Sequence, residues 1–154
     1  MQRMPRTWVV LVFIVTVSFA CGPAPSPPIP YQPVASVRQL MLDVIDPAAD
    51  VVWDSVGTIV SADGIEELYP KTKEDWNSVR GSALILAESG NLLMMEPRAR
   101  DNEEWMEMSQ AMVDAGSAAV SAAEAEDVER IFALGEDIYY SCDNCHMKYD
   151  DSIY

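Results

Sequence analysis

Apolar residues recur every three to four positions over most of the chain after residue 35, which is the spacing of one face of an α-helix. Four such segments follow one another. The first opens at Ser36, with Gln39 three positions on as in a capping box, and the others open near Thr72, at Asp101 and after Asp127. No run alternates convincingly with a period of two, so no β-strand is predicted. The pattern predicts an all-α domain, an antiparallel four-helix bundle with helices of roughly 20–25 residues.

The first segment contains a proline inside its apolar stripe. Pro47 has no backbone N–H, so a kink or a restart is expected there, with Asp46 able to cap the second half. Gly57 and Gly64 are expected to mark the frayed end of this helix. The predicted stripe consists of Val37, Leu40, Met41, Val44, Ile45, Ala48, Val51, Val52, Val56 and Ile59.

Residues 1–20 are typical of a secretory signal peptide. Two arginines precede an apolar stretch that is shorter than the roughly 20 residues of a membrane-spanning helix. Cys21 follows in a context that resembles a bacterial lipoprotein cleavage box, which predicts its lipidation; an incidental cysteine after an ordinary signal is the alternative. Residues 21–34 are rich in proline and favour an extended polyproline II linker. Residues 35–154 are then the folded domain.

The amino-acid composition of the chain excludes several classes of partner and of catalytic site. The chain of 154 residues carries 25 acidic and 10 basic residues, a formal net charge of −15, and a single histidine. Nucleic acid is an unsuitable partner, because phosphate binding needs clustered Lys and Arg. One histidine excludes a two-histidine metal site and leaves no spare imidazole for a Ser–His or Cys–His catalytic pair. No enzymatic activity is predicted.

Residues 142–146 read C-x-x-C-H, the attachment sequence of c-type haem. Cys142 and Cys145 lie three apart on the predicted last helix, so both can form thioethers to the vinyl groups of one haem. His146 lies on the same face and can bind the iron from the proximal side. These residues extend an apolar stripe, so the haem is expected to face the interior. That stripe consists of Val128, Ile131, Phe132, Gly135, Ile138, Tyr139, Cys142, Cys145, His146 and Tyr149.

The motif has two other interpretations. A redox or structural disulfide between Cys142 and Cys145 is one, but a redox C-x-x-C normally stands in a βαβ context, and no strand is predicted. A zinc site is the other, but structural zinc takes four ligands and the chain has no second Cys/His cluster. One covalent haem c is therefore the predicted cofactor.

An α-helical chain with C-x-x-C-H near its C-terminus resembles the class II c-type cytochromes, the cytochrome c-prime family, over about residues 36–150. The resemblance is carried by the motif with Tyr149 after it, by the alanine-rich residues 115–127 and by residues 38–41, Arg-Gln-Leu-Met. It implies an antiparallel four-helix bundle whose first helix lines the distal side of the haem. It also implies that Met41 is the candidate distal iron ligand and that Arg38 pairs with a haem propionate.

The distal ligand has alternatives in the sequence. Met41 can instead be core filler, and other methionines compete with it as ligands. These are Met94, Met95, Met106, Met108 and Met112. The sequence also departs from the family's habit after the histidine, where Met147 replaces a frequent lysine.

The predicted function is one-electron transfer by a periplasmic cytochrome that a lipid anchors to a bacterial membrane, inner or outer. The alternative is a five-coordinate haem protein that binds nitric oxide or carbon monoxide, and a third possibility is a non-haem adaptor lipoprotein. The expected partner is a redox protein with a basic docking surface, which acidic residues near the motif would attract. These are Glu136, Asp137, Asp143, Asp150 and Asp151. Small residues near Ala115 and Gly116 allow close helix contact within one bundle or in a homodimer.

Overall fold

The computed structural model describes residues 31–149, and these are mostly helical, as predicted. The predicted signal peptide, the lipidation site Cys21, Asp150 and Asp151 lie outside the described residues. Among the described residues, no helix is long and apolar enough to cross a bilayer. The elements in chain order are α1 (Val37–Leu40), a π-helical turn (Met41–Ile45), α2 (Asp46–Trp53), β1 (Gly57–Ser61), β2 (Gly64–Leu68), α3 (Lys73–Met94), α4 (Glu104–Glu124) and α5 (Val128–Tyr149).

Three of the helices begin at the polar residues that the sequence pattern indicated, whereas α4 begins at Glu104, three residues after the predicted Asp101. Ser36 and Gln39 form a reciprocal capping box at α1, and Thr72 and Asp75 form another at α3. At α5, the carboxylate of Asp127 accepts a backbone N–H of the first turn at 2.9 Å. Each cap satisfies a backbone N–H that has no partner within its helix. Local side-chain chemistry therefore favours the observed starts of α1, α3 and α5.

Pro47 does not break the first helix. The chain remains helical from Val37 to Trp53, and the interruption is a π-helical turn just before the proline. The N–H of Asp46 bonds to the carbonyl of Met41, five residues earlier. Pro47 then stands in the first turn of α2, where a missing N–H costs little. The expected cap by Asp46 is wrong, because this residue is itself helical and makes no side-chain cap.

The prediction of no strands is wrong. The helix ends at Trp53, and Gly57–Ser61 pairs antiparallel with Gly64–Leu68 in a hairpin whose two-residue turn precedes Gly64. Gly64 has a φ of 134°, which favours glycine. Val60 and Ile65 are cross-strand partners, yet they are 76% and 73% exposed. A hairpin exposed on both faces produces no buried alternation, and period-two reasoning therefore misses it.

The buried faces of α3 and α4 meet at small residues. An added Cβ at Gly116 would lie 2.5 Å from the backbone N of Ala87 and 3.0 Å from the carbonyl O of Ala83. An added Cβ at Gly90 would lie 2.5 Å from the carbonyl O of Ser109. Glycine at both positions lets the two backbones approach closely. The small-residue face of α4 is thus used inside the chain.

Two apolar residues of α5 do not belong to the core, although the predicted stripe included them. Phe132 is 67% exposed and Tyr139 is 51% exposed, whereas Leu134, which the stripe omitted, is buried. Val51 and Ile59 of the first predicted stripe are also exposed. The core itself runs through all three long helices and α2. Its largest fully buried side chains are Leu86, Leu93, Ile131, Leu134, Ile138 and Val52.

Candidate functional site

The C-x-x-C-H residues lie in the last two turns of α5 and share one face of that helix. Cys142, Cys145 and His146 are each half-buried, and all three line the same cavity. Both thiols are free. The helical spacing of three and four residues produces this common orientation, as the sequence predicted. The side chains that would attach a haem and bind its iron therefore open into one space.

That cavity has a volume of about 480 Å³, within the range of small-molecule and cofactor sites. One wall comes from α1, the π-helical turn and α2, a second from α5, and a third from the end of α3, the loop after it and α4. The lining is mainly apolar, and it includes Val37, Leu42, Ile45, Ala49, Trp53, Leu93, Trp105, Met108 and Met112. A covalently attached haem requires such a site, an apolar cavity with a cysteine pair and an imidazole at one wall.

Burial raises the pKa of both thiols. Desolvation is the main cause at Cys142, where the carboxylates of Asp46 and Asp143 raise the pKa further and a hydrogen bond between the thiol and the Ser141 hydroxyl partly opposes this rise. Desolvation is also the main cause at Cys145. Redox-active C-x-x-C cysteines have the opposite property, a lowered pKa that supplies a thiolate. The surroundings of this pair do not favour the disulfide interpretation.

Met41 and Arg38 line the same cavity from the wall that the first helical segment forms. Met41 is half-buried and is the first residue of the π-helical turn. Turns of this kind inside α-helices occur frequently at functional sites. The structure therefore brings together all five residues that the sequence analysis assigned to the haem site.

The competing methionines fall into two groups. Met108 and Met112 of α4 also line the cavity, whereas Met94, Met95 and Met106 do not. Met112 is buried and Met108 is half-buried. Of the methionines that the sequence offered as distal ligands, three therefore line this cavity, namely Met41, Met108 and Met112.

Trp53 is a cavity residue that the sequence analysis did not single out. Its ring Nε1 donates a hydrogen bond to the carbonyl of Gly135 at 3.0 Å, which ties the end of α2 to α5. A Cβ added at Gly135 would lie 3.4 Å from Trp53 Cδ1, so the indole packs closely over the glycine. Gly135 in an amphipathic helix was a usable signal, because a helical glycine often allows a large side chain to approach.

Trp105 and Tyr149 close another side of the cavity. Their rings meet edge to face with centroids 5.0 Å apart, and Trp105 Nε1 donates to the carbonyl of Leu93 at 2.8 Å. The Tyr149 hydroxyl donates to the carboxylate of Asp101, which also accepts the backbone N–H of Trp105 at 3.0 Å. The hydrogen bond to Asp101 raises the pKa of Tyr149 to about 12, and the pKa of Asp101 is correspondingly lowered. One carboxylate thus joins the start of α4 to the end of α5.

Charged residues border the cavity unevenly. Arg100, in the loop before α4, is exposed and lines it together with Arg38. Its guanidinium lies 5.9 Å from the ring centroid of Trp105. Sequence reasoning missed Arg100 because a loop residue belongs to no periodic pattern. On α5, Asp143 lines the cavity, while Glu136 and Asp137 are exposed nearby; these three residues are called the acidic patch below.

Within residues 31–149, no three His, Cys, Asp or Glu side chains converge as a metal-binding group. Comparisons of the chain with protein-family models, with curated proteins and with solved structures found no match.

Proposed function

We propose that this chain is a c-type cytochrome that carries one haem c on Cys142 and Cys145, with His146 as the proximal iron ligand, and that transfers single electrons. The observation that carries the proposal is the cavity of about 480 Å³ that joins these three residues to Met41 and Arg38. When bound, the haem supplies a ferric/ferrous couple. The chain's own residues hold the iron and surround it with apolar side chains, which limits the access of water.

We further propose that the helical segments form an antiparallel four-helix bundle of the cytochrome c-prime type. Close approaches support this arrangement, because successive contacts run in opposite directions along the two helices. On α3 and α4, Ala83 and Ala87 lie against Gly116, whereas Gly90, further along α3, lies against Ser109. The resemblance of the motif region to class II cytochromes agrees with such a bundle.

Contacts between α2 and α5 also run in opposite directions along the two helices. Trp53 bonds to Gly135, whereas Asp46, two turns earlier, acts electrostatically on Cys142, two turns later. The first helical segment therefore runs opposite to the helix that carries the motif. This direction supports an assignment of Met41 and Arg38 to the distal side of the same cofactor.

Covalent haem in the full chain is the direct test of the cofactor. The protein is expressed with and without haem-attachment machinery, extracted with acid acetone, and assayed for haem that stays with the polypeptide. We expect one haem per chain, and we expect its loss in Cys142→Ala and Cys145→Ala. A chain that carries no extraction-resistant haem, although the machinery is active on a control cytochrome, would contradict the proposal.

We propose Met41 as the sixth iron ligand, because it lines the same cavity as His146 from a different helical segment. Met41→Ala should open the sixth position, so that the reduced protein binds carbon monoxide. Met108→Ala and Met112→Ala are the matched controls, because both thioethers line the same cavity. A carbon monoxide response that appears with a control instead of with Met41→Ala would reassign the ligand, and a response in the unaltered protein would favour gas binding.

The proposal includes an exported protein that a lipid on Cys21 holds at a membrane facing the periplasm, with a redox protein as partner. The acidic patch, together with the net charge of −15, favours a partner with a basic docking surface. Mass spectrometry of the N-terminal peptide tests the anchor. A diacylglyceryl group on Cys21 is expected, and an unmodified thiol at that position would contradict it.

A further inference from the structure

Two arginines without an acidic partner stand at a cavity whose lining is mainly apolar. Arg38 and Arg100 both line it, and neither forms an ion pair with any of residues 31–149. The chain has only 10 Lys and Arg in total, so two of them at one cavity is a notable concentration. Exposed guanidinium groups beside an apolar space suit a ligand with an apolar body and anionic ends.

A buried arginine brings these two groups to the same end of the cavity. Arg98 is 8% exposed, and its Nε donates to the carbonyl of Ala35 at 2.9 Å, while its Nη1 donates to the carbonyl of Leu92 at 3.1 Å. Ala35 stands three residues before Arg38, and Arg98 stands two residues before Arg100. The bridge therefore fixes the loop that carries Arg100 against the chain that enters α1.

The opposite charge stands at the other end. Asp46 lies eight residues after Arg38 on the same helical segment, which corresponds to about 12 Å at 1.5 Å per residue. It lies close enough to Cys142 to act on that thiol, and Asp143 also lines the cavity there. Arg100 lies over Trp105 and acts electrostatically on Cys145 and Tyr149, which come after Cys142 on α5. The cavity thus has a cationic end at Arg38 and Arg100 and an anionic end at Asp46 and Asp143.

We infer that Arg38 and Arg100 together hold the two haem propionates, one guanidinium for each carboxylate, and that Arg98 positions the loop for this purpose. The inference rests on the proposed haem and deepens it. It adds Arg100 as a binding residue, and it fixes how the haem lies in the cavity, with its propionates at the arginine end. An orientation with the propionates toward Asp46 and Asp143 would place like charges together and leave both arginines without a partner.

Noncovalent capture of a porphyrin tests the contact itself. The full chain with Cys142→Ala and Cys145→Ala, which keeps His146, is titrated with iron protoporphyrin IX and with its dimethyl ester, whose propionates carry no charge. We expect the free acid to bind more tightly than the ester. Adding Arg100→Gln should weaken free-acid binding about tenfold, as for a lost charged hydrogen bond, and leave ester binding unchanged. Arg100→Lys should restore part of the loss.

The matched control is Arg130→Gln, which removes an exposed arginine of α5 that does not line the cavity. Equal free-acid binding by the Arg100→Gln and Arg130→Gln proteins would overturn the inference, and so would equal binding of acid and ester by the parent. In the haem-loaded chain, Arg100→Gln should also lower the reduction potential, because a positive charge near the haem disfavours its oxidised form. Arg130→Gln should leave the potential unchanged.

These outcomes separate the two proposals. A native chain that carries covalent haem, but whose Arg100 variants behave like the Arg130 control, overturns the propionate assignment and leaves the cytochrome proposal standing. A native chain without covalent haem, whose Cys→Ala form also fails to bind either porphyrin, overturns both.

Discussion

The contact between α3 and α4 at Gly116 gives a prediction whose size follows from the structure. A Cβ at this position would lie 2.5 Å from the N of Ala87, 2.9 Å from its Cα and 3.0 Å from the carbonyl O of Ala83. These are backbone atoms, which cannot turn aside as a flexible side chain does. Gly116→Ala therefore has to separate two helices whose inner faces form the core.

Overpacking of this kind costs about 1–3 kcal/mol, and the better helix propensity of alanine returns about 0.5–1 kcal/mol. We expect Gly116→Ala to lower the free energy of unfolding by about 1–2 kcal/mol. Gly81→Ala is the matched control, because Gly81 lies inside the facing helix α3 and a Cβ there meets nothing within 4 Å. This control should raise stability by about 0.5–1 kcal/mol.

Urea unfolding followed by far-UV circular dichroism measures both effects. With an m-value of about 2 kcal/mol/M, Gly116→Ala should lower the midpoint by about 0.5–1 M, while Gly81→Ala raises it. The two substitutions are chemically identical, so helix propensity alone would move both midpoints upward. A Gly116→Ala midpoint at or above that of the unaltered protein would refute the close packing of α3 against α4.

Two further predictions concern charge. The Asp101–Tyr149 hydrogen bond lowers the pKa of Asp101 and raises the pKa of Tyr149 to about 12. The hydrogen bond should therefore stabilise the fold fully between about pH 4 and pH 10, the ordinary pKa values of a carboxyl and a phenol group. Its contribution should fade below this range as Asp101 is protonated, and above it as Tyr149 is deprotonated. Tyr149→Phe should flatten the fall in melting temperature between about pH 10 and 12, and Tyr140→Phe should not; equal profiles would contradict this. If the acidic patch guides a basic partner, ionic strength above about 0.15 M should slow electron transfer between the two proteins. The double variant Glu136→Gln with Asp137→Asn should show a weaker dependence of this rate on salt. A salt-independent rate in the unaltered protein would contradict a role of the acidic patch in docking.

The sequence alone predicted the long helices because their starts and their buried faces depend on local rules. Thr72 and Asp127 cap α3 and α5 through side chains within three residues of their partners, and such contacts can be read directly from the spacing. The C-x-x-C-H motif is equally local, because helical geometry alone places Cys142, Cys145 and His146 on one face.

Other features depend on partners distant in the sequence. The hairpin at residues 57–68 has no buried face, so hydrophobic periodicity could not reveal it, although Asp63-Gly64 is a turn signal that could have. The exposure of Phe132 and Tyr139 could not be read from apolarity, because both lie at the margin of the helical stripe. Arg100 lies in a loop that Arg98 ties to Ala35, a hydrogen bond between residues 63 positions apart.

The position of Met41 depends partly on local sequence and partly on contacts that are distant in the sequence. The resemblance of residues 38–41 to a cytochrome first helix implied that Met41 lines the distal side of a haem site. In the structure, Met41 lines the cavity. The π-helical turn that begins at Met41 was not predicted, because Pro47 permits several local solutions: a kink, a restart or a wider turn. The structure has the wider turn, and α2 after it packs against α3 and α5.

The visible absorption spectrum of the reduced full chain, with and without carbon monoxide, tests the central claim most directly. The protein is made with haem-attachment machinery, reduced with dithionite, and recorded before and after addition of the gas. Sharp α and β bands that carbon monoxide does not move are the predicted result, because His146 and Met41 would then occupy both axial positions. A broad high-spin spectrum that shifts with carbon monoxide would contradict the electron-transfer account and favour gas binding, and the absence of any haem spectrum would contradict the cytochrome proposal itself.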